Sequence, residues 1–129
     1  MKHLLALLLA ISLSAPGLAA EVSGLVVKPS QYGVGETIYR LQAALTAKGI
    51  GIVTRWNHAQ KAEEVGIPLR PTELLLFGNP KLGSNFFTSA QSSGIDLPMK
   101  ALAWEDADGN VWLGYNDPAY IAERHGIKD

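Results

Sequence analysis

The residues best equipped for chemistry sit where ordered segments of the sequence begin or end. His58 follows Asn57 at the start of a helical stretch. An imidazole there could act as a general base, with Asp117 or Glu105 as its carboxylate partner. Asn79 comes directly after the apolar run Glu73–Phe77 and offers an amide to a ligand, while Gly78 lets a backbone approach closely. Lys100 stands between Met99 and Ala101 on a strand, and Asn116 and Asp117 precede Pro118 at another helix start. Two amides, a cation and an imidazole would suit a small polar or anionic ligand. His58, Asn79, Lys100, Asn116 and Asp117 are therefore the candidate binding residues. Each also has a purely structural use, because Asn and Asp cap helices and close turns.

No catalytic set is legible. Ser84 lacks the Gly-x-Ser-x-Gly context of a nucleophile elbow, and no Ser-His-Asp order follows from the sequence. There is no cysteine, and His58 and His125 are the only histidines beyond His3. A zinc site normally needs three or four protein ligands, so neither a metal nor a cofactor is expected. Asp106–Asn110 begins like a calcium loop, but its glycine is fourth rather than sixth and no glutamate stands twelfth. Asp108-Gly109 reads instead as a hairpin turn. The segment from Gly78 to Gly83 lacks the Lys-Ser/Thr ending of a phosphate loop.

The elements that must position these residues follow from periodicity. Val22–Lys28 is rich in β-branched residues and reads as a strand, with Pro29–Gly35 as a turn-rich connector. Ile38, Leu41, Ala44 and Leu45 recur at helical spacing within Glu36–Lys48. Ile50–Trp56 is a second strand, and Asn57 caps a short helix with Gln60 in the capping-box position. Glu73–Phe77 is nearly continuous apolar sequence, as in a central strand covered on both faces. Ser84 could cap a third helix carrying Phe86 and Phe87. Met99–Glu105 and Val111–Tyr115 flank the hairpin, and Pro118 opens a last helix that His125 and Gly126 close. The order β-α-β-α-β-α-β-β-α implies an α+β domain: a mixed, partly antiparallel sheet with helices packed on it.

The first twenty residues have the layout of a signal peptide. Lys2 and His3 precede an apolar run, Leu4–Leu13, too short to span a bilayer, and Gly17-Leu18-Ala19-Ala20 offers small residues for cleavage. The expectation is a signal peptide over residues 1–20, a single domain over 21–129, no stable membrane insertion after cleavage, and a periplasmic or secreted product. Across the whole chain 11 basic residues face 12 acidic ones, and no basic patch is dense enough for phosphates, so nucleic acid is not an expected partner.

Several fragments together resemble a known family. They are Asn57-His58-Ala59, the run Phe77-Gly78-Asn79-Pro80, Asp96-Leu97-Pro98 with Lys100, Trp104-Glu105-Asp106, Tyr115-Asn116-Asp117-Pro118 and Arg124-His125-Gly126. In order and spacing they resemble the domain-of-unknown-function 302 family, over about Val22 to Ile127. The resemblance implies a compact α+β domain and often a homodimer, and it implies no reaction. Three functions stay open. One is an exported small-molecule-binding module with a pocket between the sheet and the helix bearing His58. Another is a hydrolase or other small-molecule enzyme using His58 as base. The third is a structural homodimer without a ligand. Trp56, Trp104 and Trp112 would serve the core or a dimer interface.

Overall fold

The computed structural model describes residues 21–128; the expected signal peptide lies outside the described residues. The chain runs β1 (Leu25–Ser30), α1 (Val34–Ala47), β2 (Gly51–Asn57), α2 (His58–Glu64) and β3 (Thr72–Gly78). It continues with α3 (Pro80–Ser89), a 3-10 turn (Gln91–Ile95), β4 (Met99–Glu105), β5 (Val111–Asn116) and α4 (Pro118–Arg124). The element order matches the sequence reading. The five strands form one sheet in the order β1-β5-β4-β3-β2, and all four pairings are antiparallel. The sheet, expected to be mixed, is antiparallel at every pairing: the α2 and α3 crossovers reverse the chain between neighbouring strands, while α1 joins β1 and β2, which run the same way but lie at opposite edges.

Local chemistry explains the shifted boundaries. β1 runs on through Pro29 to Ser30, where a connector was expected. Proline cannot donate to a ladder, but β1 is an edge strand, where proline is tolerated. α3 starts at Pro80, ahead of Ser84: Asn79 Oδ1 accepts from the Lys81 amide at 3.0 Å, and Pro80 fills the first helical turn. Ser84 instead returns its hydroxyl to the Pro80 carbonyl at 2.7 Å. The Asn57 cap is as expected, accepting from the Gln60 amide at 2.9 Å. At the hairpin, Asp106 Oδ1 accepts from the Asp108 and Asn110 amides, and Gly109 takes a positive φ of 83°. Indole Nε1 of Trp112 donates to Asp106 Oδ2, which holds that carboxyl below its usual range.

The two faces of the sheet differ sharply. Side chains of Glu73, Leu75, Ala101, Ala103 and Val111 share one face and are all buried. α1 lies over that face: Val34 and Ile38 join Leu75, Ala103 and Val111 in one core, ringed by Leu41, Leu45 and Phe77. The opposite face carries Val27, Leu74, Leu76, Leu102, Trp104 and Trp112, each only half-buried, with Trp56 45% exposed. On that face Gly114 alone is buried, because the Trp104 ring lies across it. The apolar run in β3 therefore has one covered face, where the sequence suggested two.

Candidate functional site

The strand register decides which candidate residues can meet. β3 pairs Glu73 with Asn57 at one end and Phe77 with Met99 at the other. His58 follows Asn57, which is level with Glu73, and Asn79 lies beyond the far end of β3, so about 20 Å of strand separates their levels at ~3.3 Å per residue. Lys100 and Asn116 stand with Asn79 at that far end, one step beyond the Ala101–Tyr115 pair and on the open face. Asp117 follows, capping α4 through a hydrogen bond from the Ala119 amide at 2.9 Å. Four of the five candidates thus gather at one end of the sheet, and His58 lies at the other. Lys100 Nζ donates to the Pro98 carbonyl at 3.1 Å. Among the described residues, His58 hydrogen-bonds neither Asp117 nor Glu105, so the pairing expected of a His58 base is not made.

A different histidine occupies the populated end. His125 closes α4, and its side chain is only 8% exposed. Its Nε2 lies 2.6 Å from Asp96 Oδ2, and its Nδ1 lies 2.8 Å from Ser92 Oγ. The ionised carboxylate can only accept, so Nε2 carries the proton. Arg124 NH1 also reaches both Asp96 oxygens, at 2.8 and 2.9 Å. Chiefly the His125 hydrogen bond, helped by Arg124, holds the Asp96 carboxyl below its ordinary range, while partial burial works against them. The sequence signalled part of this cluster: Arg124-His125 and Asp96 both belong to fragments that carry the family resemblance. Ser92 carried no signal, because its role depends on the 3-10 turn that aims it.

The other end of the sheet holds a groove of about 520 Å³ between α2, the start of α1 and the strand ends. Asn57, Gln60, Glu63, Pro68, Leu69 and Glu73 are among its lining residues. Glu73 has a side chain only 10% exposed. Arg55 donates to its Oε2 through both Nε and NH2, each at 2.7 Å. Its Oε1 makes no hydrogen bond among the described residues. Sequence reasoning missed Glu73 because it sat inside an apolar run. No three His, Asp or Glu side chains among the described residues gather as a metal site.

The model of the family described as domain of unknown function DUF302 matches residues 26–129. The chain belongs to the DUF302 family. The crystal structure of an uncharacterized conserved DUF302 protein from Bacillus stearothermophilus superimposes with a TM-score of 0.73 at 22% identity, covering 81% of this chain and 82% of that one. That likeness shows the DUF302 fold. In sequence, the chain is 47% identical over 105 residues to a fluoride-specific ion channel, FluC 1, of Brucella suis biovar 1, and equally to FluC 2 of Brucella melitensis biotype 1. The match takes in 81% of this chain but only 41% and 39% of those two proteins, so the chain spans about two fifths of their length. No helix among the described residues is long and apolar enough to cross a membrane.

Proposed function

We propose that this DUF302 protein is an exported binding module that holds a small polar molecule in the groove between α2 and the sheet. The observation that carries this reading is Glu73, a nearly buried carboxylate on the groove wall with one oxygen tied to Arg55 and the other uncommitted. A carboxylate oxygen that faces a groove without a protein partner favours a ligand group that donates a hydrogen bond, such as an amine or hydroxyl. Glu63 and Glu73 both line the groove, which disfavours an anion there. Pro68 and Leu69 supply apolar wall. The groove lies between the sheet and the helix bearing His58, but none of His58, Asn79, Lys100, Asn116 and Asp117 is among its lining residues. Export rests on the layout of the first twenty residues. Occurrence as part of longer proteins named fluoride channels fits a module joined to other machinery.

Native mass spectrometry of protein purified from its own host tests this reading. A co-purifying small molecule should be retained by the wild type and released at least ~10-fold more readily by Glu73→Gln, since a hydrogen bond to a charged group contributes about 1.5–3 kcal/mol. Equal retention by the variant would refute the assignment of the groove.

The open sheet face favours a second element of the reading, a homodimer. Five strands at ~4.8 Å spacing and ~20 Å length give a flat footprint of about 400–500 Å². Side-chain relief raises the accessible area toward the ~800 Å² that each partner commonly contributes. Lys100 is the charged strand residue of this face, near one end of the sheet, while Asp106, bonded to the Trp112 indole, and Lys61, over the Trp56 ring, stand at its rim. Sedimentation of the mature domain at micromolar concentration should give a dimer, and Leu102→Asp should give a monomer of unchanged circular dichroism. A wild type that stays monomeric at 100 µM would refute it.

A further inference from the structure

We propose that Ser92, His125 and Asp96 form a serine acyl-transfer site that hydrolyses small, unhindered esters. The three side chains make a continuous hydrogen-bonded chain, Ser92 Oγ to His125 Nδ1 at 2.8 Å and His125 Nε2 to Asp96 Oδ2 at 2.6 Å. These are the contacts by which a base takes a proton from a hydroxyl while a carboxylate fixes the imidazole. Asp96 must accept from Nε2–H, so the neutral ring presents its lone pair at Nδ1, toward the serine. Arg124, bound to both Asp96 oxygens, keeps that carboxylate ionised and its plane fixed. Arg124 is a positioning residue. The ring nitrogens are used in the reverse sense to the usual serine hydrolase, but either nitrogen of an imidazole can accept a proton when the other is held by a carboxylate.

Exposure is distributed as a nucleophile and its base require. His125 is almost wholly enclosed, which guards its tautomer, while Ser92 is exposed on the 3-10 turn Gln91–Ile95. An open nucleophile suits a small acyl group on a good alcohol leaving group, bound weakly. Ser92 Oγ attacks the ester carbonyl carbon as its proton passes to His125 Nδ1. The tetrahedral adduct collapses, the carbon–oxygen bond to the alcohol breaks, and the alcohol leaves with the proton from His125. Water then attacks the Ser92 ester by the same proton path, releasing the carboxylic acid and restoring the hydroxyl. No oxidant, metal or further reactant enters. This chemistry is independent of the groove beside α2.

The test uses the purified mature protein, a fluorophosphonate probe and p-nitrophenyl acetate. The wild type should take up one phosphonate per chain, mapped by peptide mass spectrometry to Ser92. Ser92→Ala should lose the label and at least ~50-fold of the ester hydrolysis, in line with a general-base contribution of about 10²–10⁴. Because Ser92 is exposed, the variant should fold as the wild type does. The chain has no cysteine, so Ser92→Cys adds a single thiol whose alkylation against pH reads the imidazole directly. That thiol should titrate clearly below the ordinary ~8.5 of a free cysteine. Absence of a label, a label on another residue, unchanged hydrolysis in Ser92→Ala, or a thiol titrating at its ordinary value would each overturn the proposal.

Discussion

Replacing Gly24 with alanine is expected to lower the stability of the domain by about 3 kcal/mol. Two separate costs add at this position. Gly24 has a φ of 76°, where a side chain costs about 1–2 kcal/mol. Its new Cβ would also stand 2.2 Å from Cγ of Tyr120 and 2.4 Å from one ring Cδ. Cγ lies at the root of the ring, so a rotation of the distal atoms cannot relieve the clash. The Gly24 carbonyl accepts from the Asp117 amide at 2.8 Å, which ties the start of β1 to the start of α4. Backing away from Tyr120 would stretch that bond, so the overpacking should cost a further 1–3 kcal/mol, the usual range for small-to-large changes in tight sites. For a domain of this size that is roughly a 10–20 °C fall in melting temperature. Tyr120→Ala in the same chain should recover the steric part and leave the dihedral part, so the two substitutions should be non-additive by at least ~1 kcal/mol. Calorimetry of the four proteins reads the cycle; strict additivity would show that ring and backbone are not in conflict.

Much of the fold was legible because its signals are local. The Asn57 cap, the Asp106–Asn110 hairpin and the helical spacing of Ile38 and Leu45 each act within a few residues, and each yields the element expected. Strand direction is not local. Nothing in β2 or β3 says that they pair antiparallel, because direction is set by how each crossover returns across the sheet. The same limit applies to β3. Leu74 and Leu76 read as buried because apolar residues usually are, yet here they share the open face with Leu102 and Trp104.

Site residues divide along the same line. Asn79 and Asp117 offer polar groups at element ends, and both side chains cap helices. At a helix start the dipole disfavours the imidazolium, which makes His58 the more obvious base in the sequence than His125 at a helix end. What distinguishes His125 is its company, Asp96 from the segment before β4 and Ser92 from the preceding 3-10 turn. These three meet only after β4, β5 and α4 have folded back to the same end of the sheet. Glu73 is similar: its partner Arg55 lies 18 residues earlier on the neighbouring strand. Carboxylates placed by non-local pairing leave no periodic trace in a sequence.

The strongest test of the two-faced sheet pairs one substitution on each side. Leu75 is completely buried against α1, beside Ile38, which is equally enclosed. Leu75→Ala should cost about 3–4 kcal/mol, within the 2–5 seen when a buried leucine leaves a cavity, and the loss should not depend on protein concentration. Leu102 points from the neighbouring strand to the opposite face and is only half-buried in the single chain. If the open face stays in water, Leu102→Ala removes little contact and should cost about 1 kcal/mol or less. If a second copy covers that face, the leucine is buried in the dimer. The same substitution then lowers the melting temperature by its full amount while the proteins are dimeric, and by progressively less as they are diluted to and below the wild-type dissociation constant. Thermal unfolding of both variants across a hundredfold range of concentration separates the cases. A flat response for Leu75→Ala beside a concentration-dependent one for Leu102→Ala would place the second copy on this sheet face. Two flat responses would leave the face bare and remove the physical basis for the dimer. The contrast is informative because the two residues are both leucines on adjacent central strands, so the side of the sheet is the variable that differs.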